Sequence, residues 1–268
     1  MKISVLCNKS AFSEEQLKTL FSLGETTFTE SSDELPIEKL LKLTAGVDIL
    51  APDPENLGGF EKAKTVLTKI MDSLPDLKGV CLSTTSFGWI DLEYCKKRNI
   101  SVSNIPGYSR ESVAEHALAM LLFLAKRIVV SDRKTQKGEF KLEMGFELKG
   151  KTLGIIGLGN IGSRVAELGL GIGMKVIAYN RTPKKMKGVE MRSLDEVLKE
   201  SDAISLNTTH EENNNGMIGK EQVAKMKMGV IIVNTVDREL VDEIAMAEAL
   251  KSGKVDSYSY EGEDLVNT

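Results

Sequence analysis

The chain is poor in the residues that staple small proteins or hold metals. Among 268 residues there are three cysteines and two histidines. Cys7, Cys81 and Cys95 are odd in number, far apart and in no metal-ligand spacing. They argue against a disulfide framework and for a reducing compartment. His116 and His210 are distant from each other, so with the scattered cysteines they offer no ligand set, and no metal site is expected. Long apolar runs are missing too. The longest, Ala117 to Ala125, lies between His116 and Lys126 and is far short of the ~20 residues of a membrane span. The opening Met1-Lys2-Ile3-Ser4-Val5-Leu6 reads as a strand whose apolar run is too small for a signal peptide. A formal net charge of −4 gives no reason to expect nucleic acid or an anionic membrane as partner. Repeats and low-complexity tracts are absent. The expectation is a soluble, cytoplasmic protein.

Hydrophobic residues make up 41% of the chain, enough for substantial cores in one large or two ordinary domains. Strand-like and helical runs alternate from the start, which predicts an α/β fold with parallel sheets. A first unit, 1–105, runs to the Pro-Gly boundary at Asn104-Ile105-Pro106-Gly107-Tyr108. The second unit spans 106–268. It opens with a long helix, capped by Ser109 and running to about Val130. Its segment Ala117–Ala125 is apolar all round, which predicts burial on every side, between domains or subunits. Residues 131–150 read as an irregular polar arm.

After residue 150 comes the most informative stretch, Leu153-Gly154-Ile155-Ile156-Gly157-Leu158-Gly159-Asn160-Ile161-Gly162-Ser163. It is a G-x-G-x-x-G pattern between an apolar strand and a helix. Gly157 permits a tight turn, Gly159 lets backbone N–H groups approach a pyrophosphate, and Gly162 allows close packing of helix on strand. The helix start, at Asn160 and Ile161, offers unpaired N–H donors and a partial positive charge. A second strand ends at Asn180-Arg181-Thr182. A dinucleotide fold usually carries a carboxylate about 20 residues after the first glycine, to hold ribose hydroxyls. Here an amide and a guanidinium replace it, so NADP is favoured over NAD. A polar strand end with solvated Lys184, Lys185 and Lys187 is the plainer reading of the same residues.

Several blocks together resemble the D-isomer-specific 2-hydroxyacid dehydrogenases, which include glycerate, glyoxylate and phosphoglycerate enzymes. They are Val102–Gly107, Ser112-Val113-Ala114-Glu115-His116, Leu148–Gly162 and Lys225–Thr235. The resemblance implies two Rossmann-like domains with parallel sheets, separated by a cleft. Residues 1–105 would be a flavodoxin-like substrate domain and 106–268 the dinucleotide-binding domain. It implies an NAD(P) cofactor on the second, held by Gly157, Gly159, Asn160, Ile161, Gly162, Asn180, Arg181, Thr182, Asn207, Thr209, Thr235 and Val236. Thr84, Thr85, Ser86 and Phe87 would hold the carboxylate of a small 2-oxo or 2-hydroxy acid through backbone amides. A homodimer through the cofactor domain is implied as well.

The resemblance also exposes departures. The family's catalytic arginine follows a strand in Asn-Thr-Ala-Arg-Gly; here Asn234-Thr235 is followed by Val236-Asp237-Arg238. Asp237 therefore occupies the arginine position and Arg238 the glycine position. A carboxylate facing an anionic substrate costs roughly a few kcal/mol at moderate dielectric. The candidate catalytic groups are Arg238, Glu261 and Glu263. His116 matches a helix position where the family has a core or interface histidine. His210 sits where the family usually has an apolar residue. The chain ends at Thr268, ahead of the family's Pro-His motif and of the tail that completes the first domain. Two functions remain open from these residues: an NAD(P)-dependent oxidoreductase of this family, or a catalytically impaired dinucleotide-binding homologue acting as sensor or binding module. A generic Rossmann reductase on another substrate is a third.

Overall fold

The computed structural model describes residues 1–209 and 212–260. Contacts divide the chain into two units, one over Met1–Tyr108 and one from Ser109 onward.

The first unit alternates strands and helices: β1 (Lys2–Asn8), α1 (Glu14–Leu23), β2 (Glu25–Thr29), α2 (Ile37–Leu43), β3 (Ile49–Ala51), α3 (Phe60–Asp72), β4 (Gly79–Cys81), α4 (Leu92–Lys97) and β5 (Ser101–Ser103). All strands pair in parallel, in the order β2-β1-β3-β4-β5. That is the flavodoxin-like doubly wound order. Local signals set the helix starts. Ser13 and Gln16 close a reciprocal cap at the head of α1, and Asp91 accepts the Tyr94 N–H at the head of α4. Leu6, Leu50, Leu67, Ile70 and Val80 share its apolar core.

The second unit comprises α5 (Arg110–Ala125), α6 (Ile128–Gln136), β6 (Thr152–Ile156), α7 (Asn160–Gly171), β7 (Lys175–Tyr179), β8 (Val189–Met191), α8 (Leu194–Glu200), β9 (Ala203–Leu206), α9 (Lys220–Lys225), β10 (Val230–Asn234), α10 (Glu243–Ser252) and β11 (Val255–Tyr260). Its six parallel strands lie in the order β11-β10-β9-β6-β7-β8, the dinucleotide-binding order. Strands β9 and β10 are buried throughout, because helices cover both faces of the sheet. Alternate residues feed two cores. Leu153, Ile155, Ile231 and Val233 pack with Ala117, Leu121 and Val165 of α5 and α7. Ile156, Ile204 and Ile232 pack with Val197, Val223 and Met246 of α8, α9 and α10.

The single helix expected from Ser109 to about Val130 is two helices. Ser109 makes no side-chain cap; its backbone (φ −92°, ψ 6°) lacks the extended form that such a cap uses. Arg127 takes a left-handed conformation (φ 57°) and ends the first helix. Its guanidinium is drawn to β11, where Nη2 lies 2.6 Å from Asp256 Oδ1 and Nη1 lies 3.1 Å from Ser257 Oγ. The helical signal in Ile128–Val130 continues into α6, inside what reads as an irregular arm. The apolar stretch of α5 is not buried on every side within the chain. Ala117, Leu121 and Ala125 are fully buried, while Phe123 is 46% exposed.

Candidate cofactor and substrate site

In a doubly wound sheet, ligands bind at the carboxyl ends of the strands, where the order reverses. In the second unit that point lies between β6 and β9. Gly157 leaves β6 with φ +97°, and a Cβ there would stand 2.6 Å from the backbone N of Thr208 and 2.7 Å from the carbonyl carbon of Asn207. No other residue fits this turn. A Cβ on Gly162 would fall 1.9 Å from the Gly157 oxygen, so the first turn of α7 rests directly on the loop. Gly159 differs. It precedes α7 with ordinary extended backbone, and a Cβ there would meet nothing within 4 Å. The protein itself does not require this glycine. The space beside it lies open in front of the Asn160 and Ile161 N–H groups, which have no acceptor among the described residues.

The end of β7 is tied to this turn. Asn180 Oδ1 accepts the Leu158 N–H at 2.8 Å, and its Nδ2 donates to the Thr182 carbonyl at 2.6 Å. A cleft of about 450 Å³ opens alongside, lined in part by Asn180, Arg181, Arg192, Ser193 and Glu196. Two guanidinium groups thus border it. Arg192 also pairs with Glu190 at 2.5 Å, and Glu196 is committed to the Ser193 N–H and hydroxyl. Those contacts hold the Glu196 carboxyl below its ordinary range, the Ser193 hydroxyl contributing most. A smaller cavity of about 160 Å³, beside Lys151, Asp202 and Lys227, lies at the opposite strand ends, away from the glycine turn.

The ends of β9 and β10 adjoin, with Asn234 paired to Leu206. Just beyond are Asn207 and Thr235. Asn207 Oδ1 and Thr235 Oγ1 are buried and have no hydrogen-bond partner among the described residues. Buried polar atoms of this kind call for a ligand or water. Thr209 is exposed, and its carbonyl accepts from Asn214. The fully buried Asn234 shapes the next turn. Its Oδ1 accepts the Val236 N–H at 3.0 Å, while its Nδ2 donates to the Tyr258 hydroxyl at 3.2 Å and the Asp237 carbonyl at 3.4 Å. Burial pushes the Tyr258 phenol up from its usual value, with the Asn234 bond opposing. Asp237 is exposed. Arg238 is gripped by Glu243: Nη2 lies 2.8 and 2.9 Å from the two carboxylate oxygens, and Nε lies 3.0 Å from the nearer one. That hydrogen-bonded pair raises the Arg238 guanidinium further.

In the first unit, the loop after β4 has its carbonyls occupied. Ile105 N–H donates to Thr84 O, Asn104 Nδ2 to Thr85 O, Trp89 Nε1 to Ser86 O and Ile90 N–H to Phe87 O. Trp89 Nε1 also reaches Thr84 Oγ1 at 2.9 Å. With the carbonyls tied down, the N–H groups of Thr85, Ser86 and Phe87 donate to nothing among the described residues. Successive free N–H groups on a fixed loop form a concavity suited to an anion.

Comparison with known proteins bears on this geometry. The family profile described as "D-isomer specific 2-hydroxyacid dehydrogenase, NAD binding domain" matches residues 118–265, more than half of the chain. The chain belongs to the D-isomer-specific 2-hydroxyacid dehydrogenase family. It is therefore an oxidoreductase that uses a nicotinamide dinucleotide. A hydroxypyruvate reductase of Thermotoga maritima is 39% identical over 228 residues, which cover 84% of this chain and 72% of the relative. Among solved structures, the D-lactate dehydrogenase of Aquifex aeolicus complexed with NAD and lactic acid aligns with TM-score 0.80 and 32% identity, over 99% of this chain and 78% of that one. An acyclic imino acid reductase in complex with NADPH and D-Arg aligns with TM-score 0.83 and 26% identity, over 97% and 82%.

The residues of this family member fit a dinucleotide. The open space at Gly159, the free N–H groups of α7 and the orphan atoms of Asn207 and Thr235 lie along one row of strand ends. The structure adds Arg192 and Ser193, which follow β8, a strand too short to leave a pattern in the sequence. His116 is exposed on α5, so it is no core histidine within this chain. His210, Glu261 and Glu263 lie outside the described residues. Among the described residues there is no group of His, Cys, Asp and Glu that could hold a metal, and no helix long and apolar enough to cross a membrane.

Proposed function

We propose that this protein moves hydride between a nicotinamide dinucleotide, NADP in preference to NAD, and a small 2-oxo or 2-hydroxy acid. The observation that carries the reading is the open glycine loop at Gly159 beside a β7 end that bears Asn180 and Arg181 and no carboxylate. The pyrophosphate rests on Gly157, Gly159 and Gly162 and on the Asn160 and Ile161 N–H groups. Asn180, Arg181 and Thr182 take the adenosine ribose, with Arg181 and Arg192 drawing a 2′-phosphate into the adjoining cleft. Asn207, Thr209, Thr235 and Val236 line the other half. When bound, the nicotinamide supplies the hydride donor or acceptor. The loop Thr84–Phe87 holds the substrate carboxylate through its free N–H groups.

Arg238, Glu261 and Glu263 are the candidate groups for polarising a carbonyl and handling its proton. Arg238 serves as that cation only after leaving Glu243. Exposed Phe123, Val129, Val130, Phe140, Leu142 and Met144 all belong to the second unit, which supports a homodimer through it. Three free cysteines support a cytoplasmic setting.

The test is to titrate NADPH and NADH, then screen glyoxylate, hydroxypyruvate and pyruvate for loss of nicotinamide absorbance. Tighter NADH binding overturns the cofactor preference. Binding without turnover on any 2-oxo acid overturns the substrate reading and leaves a dinucleotide-binding role.

A further inference from the structure

Asn207 leaves β9 directly beside the glycine turn. Its N–H donates to the Ile156 carbonyl at 2.8 Å, a Cβ on Gly162 would stand 3.2 Å from its Cβ, and one on Gly157 would stand 2.7 Å from its carbonyl carbon and oxygen. The side-chain amide has one orientation. Its nitrogen lies 3.1 Å from the Ser205 carbonyl and 3.0 Å from the Ser205 hydroxyl oxygen, and Ser205 is fully buried. A carbonyl only accepts, so the amide atom against it is Nδ2. That leaves Oδ1 at the other end as an acceptor, buried and without a donor among the described residues. Thr235 Oγ1 is a second such atom, one residue past the Leu206–Asn234 pair of the neighbouring strands. Buried polar atoms left unpaired cost free energy that a ligand's donors recover.

We propose, on the dinucleotide reading above, that Asn207 Oδ1 accepts a hydroxyl of the nicotinamide-side ribose and that Ser205 is the positioning residue that makes the amide present its oxygen. The pyrophosphate is not the partner, because its oxygens only accept. A dinucleotide has donors of two kinds, the ribose hydroxyls and the amino groups of adenine and of the carboxamide. Strand order separates its halves. β6, which carries the glycine turn, lies between β9 and β7, and the adenosine half belongs to the β7 end at Asn180 and Arg181. Asn207 is therefore on the nicotinamide side. There the ribose is joined directly to the pyrophosphate, whereas the carboxamide lies beyond it on the far side of a ring. Asn207 abuts the turn itself, so the ribose is the group within its reach. The Thr235 hydroxyl, which both donates and accepts, suits the second hydroxyl of the same diol. A reversed Asn207 amide would offer N–H groups and draw phosphate oxygens instead. Ser205 thus decides which part of the cofactor this strand end takes.

Calorimetry on the full chain compares three probes that share the phosphorylated adenosine half: NADPH, 2′-phospho-ADP-ribose, and adenosine 2′,5′-bisphosphate, which lacks the second ribose. A parallel series without the 2′-phosphate, NADH, ADP-ribose and AMP, frees the outcome from the NADP preference. Asn207→Ala is expected to weaken the dinucleotide and the ADP-ribose probe about tenfold each. It is expected to leave the adenosine phosphate within about twofold, which also shows that the variant is folded. Ser205→Ala removes one of the two acceptors that hold Nδ2, and it is expected to lose about threefold on the same two probes. In the Asn207→Ala background it is expected to add nothing, since Ser205 acts through Asn207; additive losses overturn its positioning role. A loss confined to the dinucleotide, with ADP-ribose binding intact, assigns Oδ1 to the carboxamide and overturns the ribose assignment. Full affinity, or one equal loss on all three probes, overturns the inference and leaves the dinucleotide reading standing. A wild-type chain that binds neither NADPH nor NADH overturns both.

Discussion

The side-chain amide of Asn180 bridges the end of β7 to the glycine turn: its Oδ1 accepts the Leu158 N–H at 2.8 Å while its Nδ2 reaches the Thr182 carbonyl. The turn needs an acceptor at this position whatever nucleotide binds. Asn180→Asp keeps that acceptor and adds a negative charge beside the proposed 2′-phosphate site. The melting temperature is expected to move by about 2 °C or less, the lost Thr182 contact being exposed. NADPH affinity is expected to fall about tenfold or more and NADH affinity to hold or rise. Calorimetric titration with both nucleotides checks this; an equal loss for both would mean that the residue acts only through the turn.

The glycines of the loop separate folding from binding. Gly157→Ala forces a Cβ into the backbone of Asn207 and Thr208 at positive φ, and Gly162→Ala drives one into the Gly157 carbonyl. Each is expected to cost about 1–3 kcal/mol or more in thermal or urea unfolding. Gly159→Ala meets open space at an ordinary φ, so stability is expected to hold within about 0.5 kcal/mol. Its cofactor affinity is nevertheless expected to drop sharply, more so with Gly159→Val, because the new side chain stands in the pyrophosphate's approach. An unfolded Gly159→Ala variant, or one with full affinity, would remove the loop's proposed role.

Phe140, Leu142 and Met144 are 87%, 82% and 78% exposed, and they occupy alternate positions in the segment without regular secondary structure that follows α6. Side chains so exposed in water are an association or aggregation surface. Leu142→Glu, alone and with Phe140→Glu, is expected to convert a dimer to a monomer in sedimentation velocity at micromolar concentration. A wild-type chain that sediments as a monomer refutes the dimer.

Asp202 ties the starts of two neighbouring strands. It accepts the Thr152 N–H at 2.8 Å and pairs with Lys227 at 3.0 Å. Burial pushes its carboxyl up, but the Thr152 and Lys227 hydrogen bonds and the nearby lysine charges together outweigh it, and the net shift is downward. A carboxyl whose folded pKa lies below its unfolded value of about 3.9 stabilises the fold above that pH, and the contribution is lost as pH falls through the folded value. Asp202→Asn is expected to cost about 1–2 kcal/mol at pH 7, reduced from a fully buried case because a quarter of the side chain is exposed. The gap between variant and wild-type melting curves is expected to close toward pH 3. A gap independent of pH would show that the contact works by shape and not by charge.

What could be read along the chain was what a local rule imprints on residue type. The turn at Gly157 tolerates no Cβ, so only glycine appears there, and the apolar run of β10 records a strand covered on both faces. Helix caps were less legible: Ser109, read as a cap, makes no side-chain bond, while Ser193 with Glu196 closes a cap that the reading did not single out. The break in the helix after Ala125 left no such trace, because its partner, Asp256, stands 129 residues away from Arg127. Arg192 was invisible for a related reason: it joins Asn180 and Arg181 at one cleft only because β8 pairs with β7.

By itself, the sequence determined the alternation of strands and helices apart from β8 and the break after Ala125, the glycine turn after β6, and the family, since each depends on spacing and backbone geometry within a few neighbouring residues. Tertiary structure alone decided what the polar groups are free to do. It committed Arg238 to Glu243, set Asn180 to holding the turn, and left the acceptors of Asn207 and Thr235 without partners among the described residues. A side chain's identity states which bonds it can make, whereas the fold states which of them are already made.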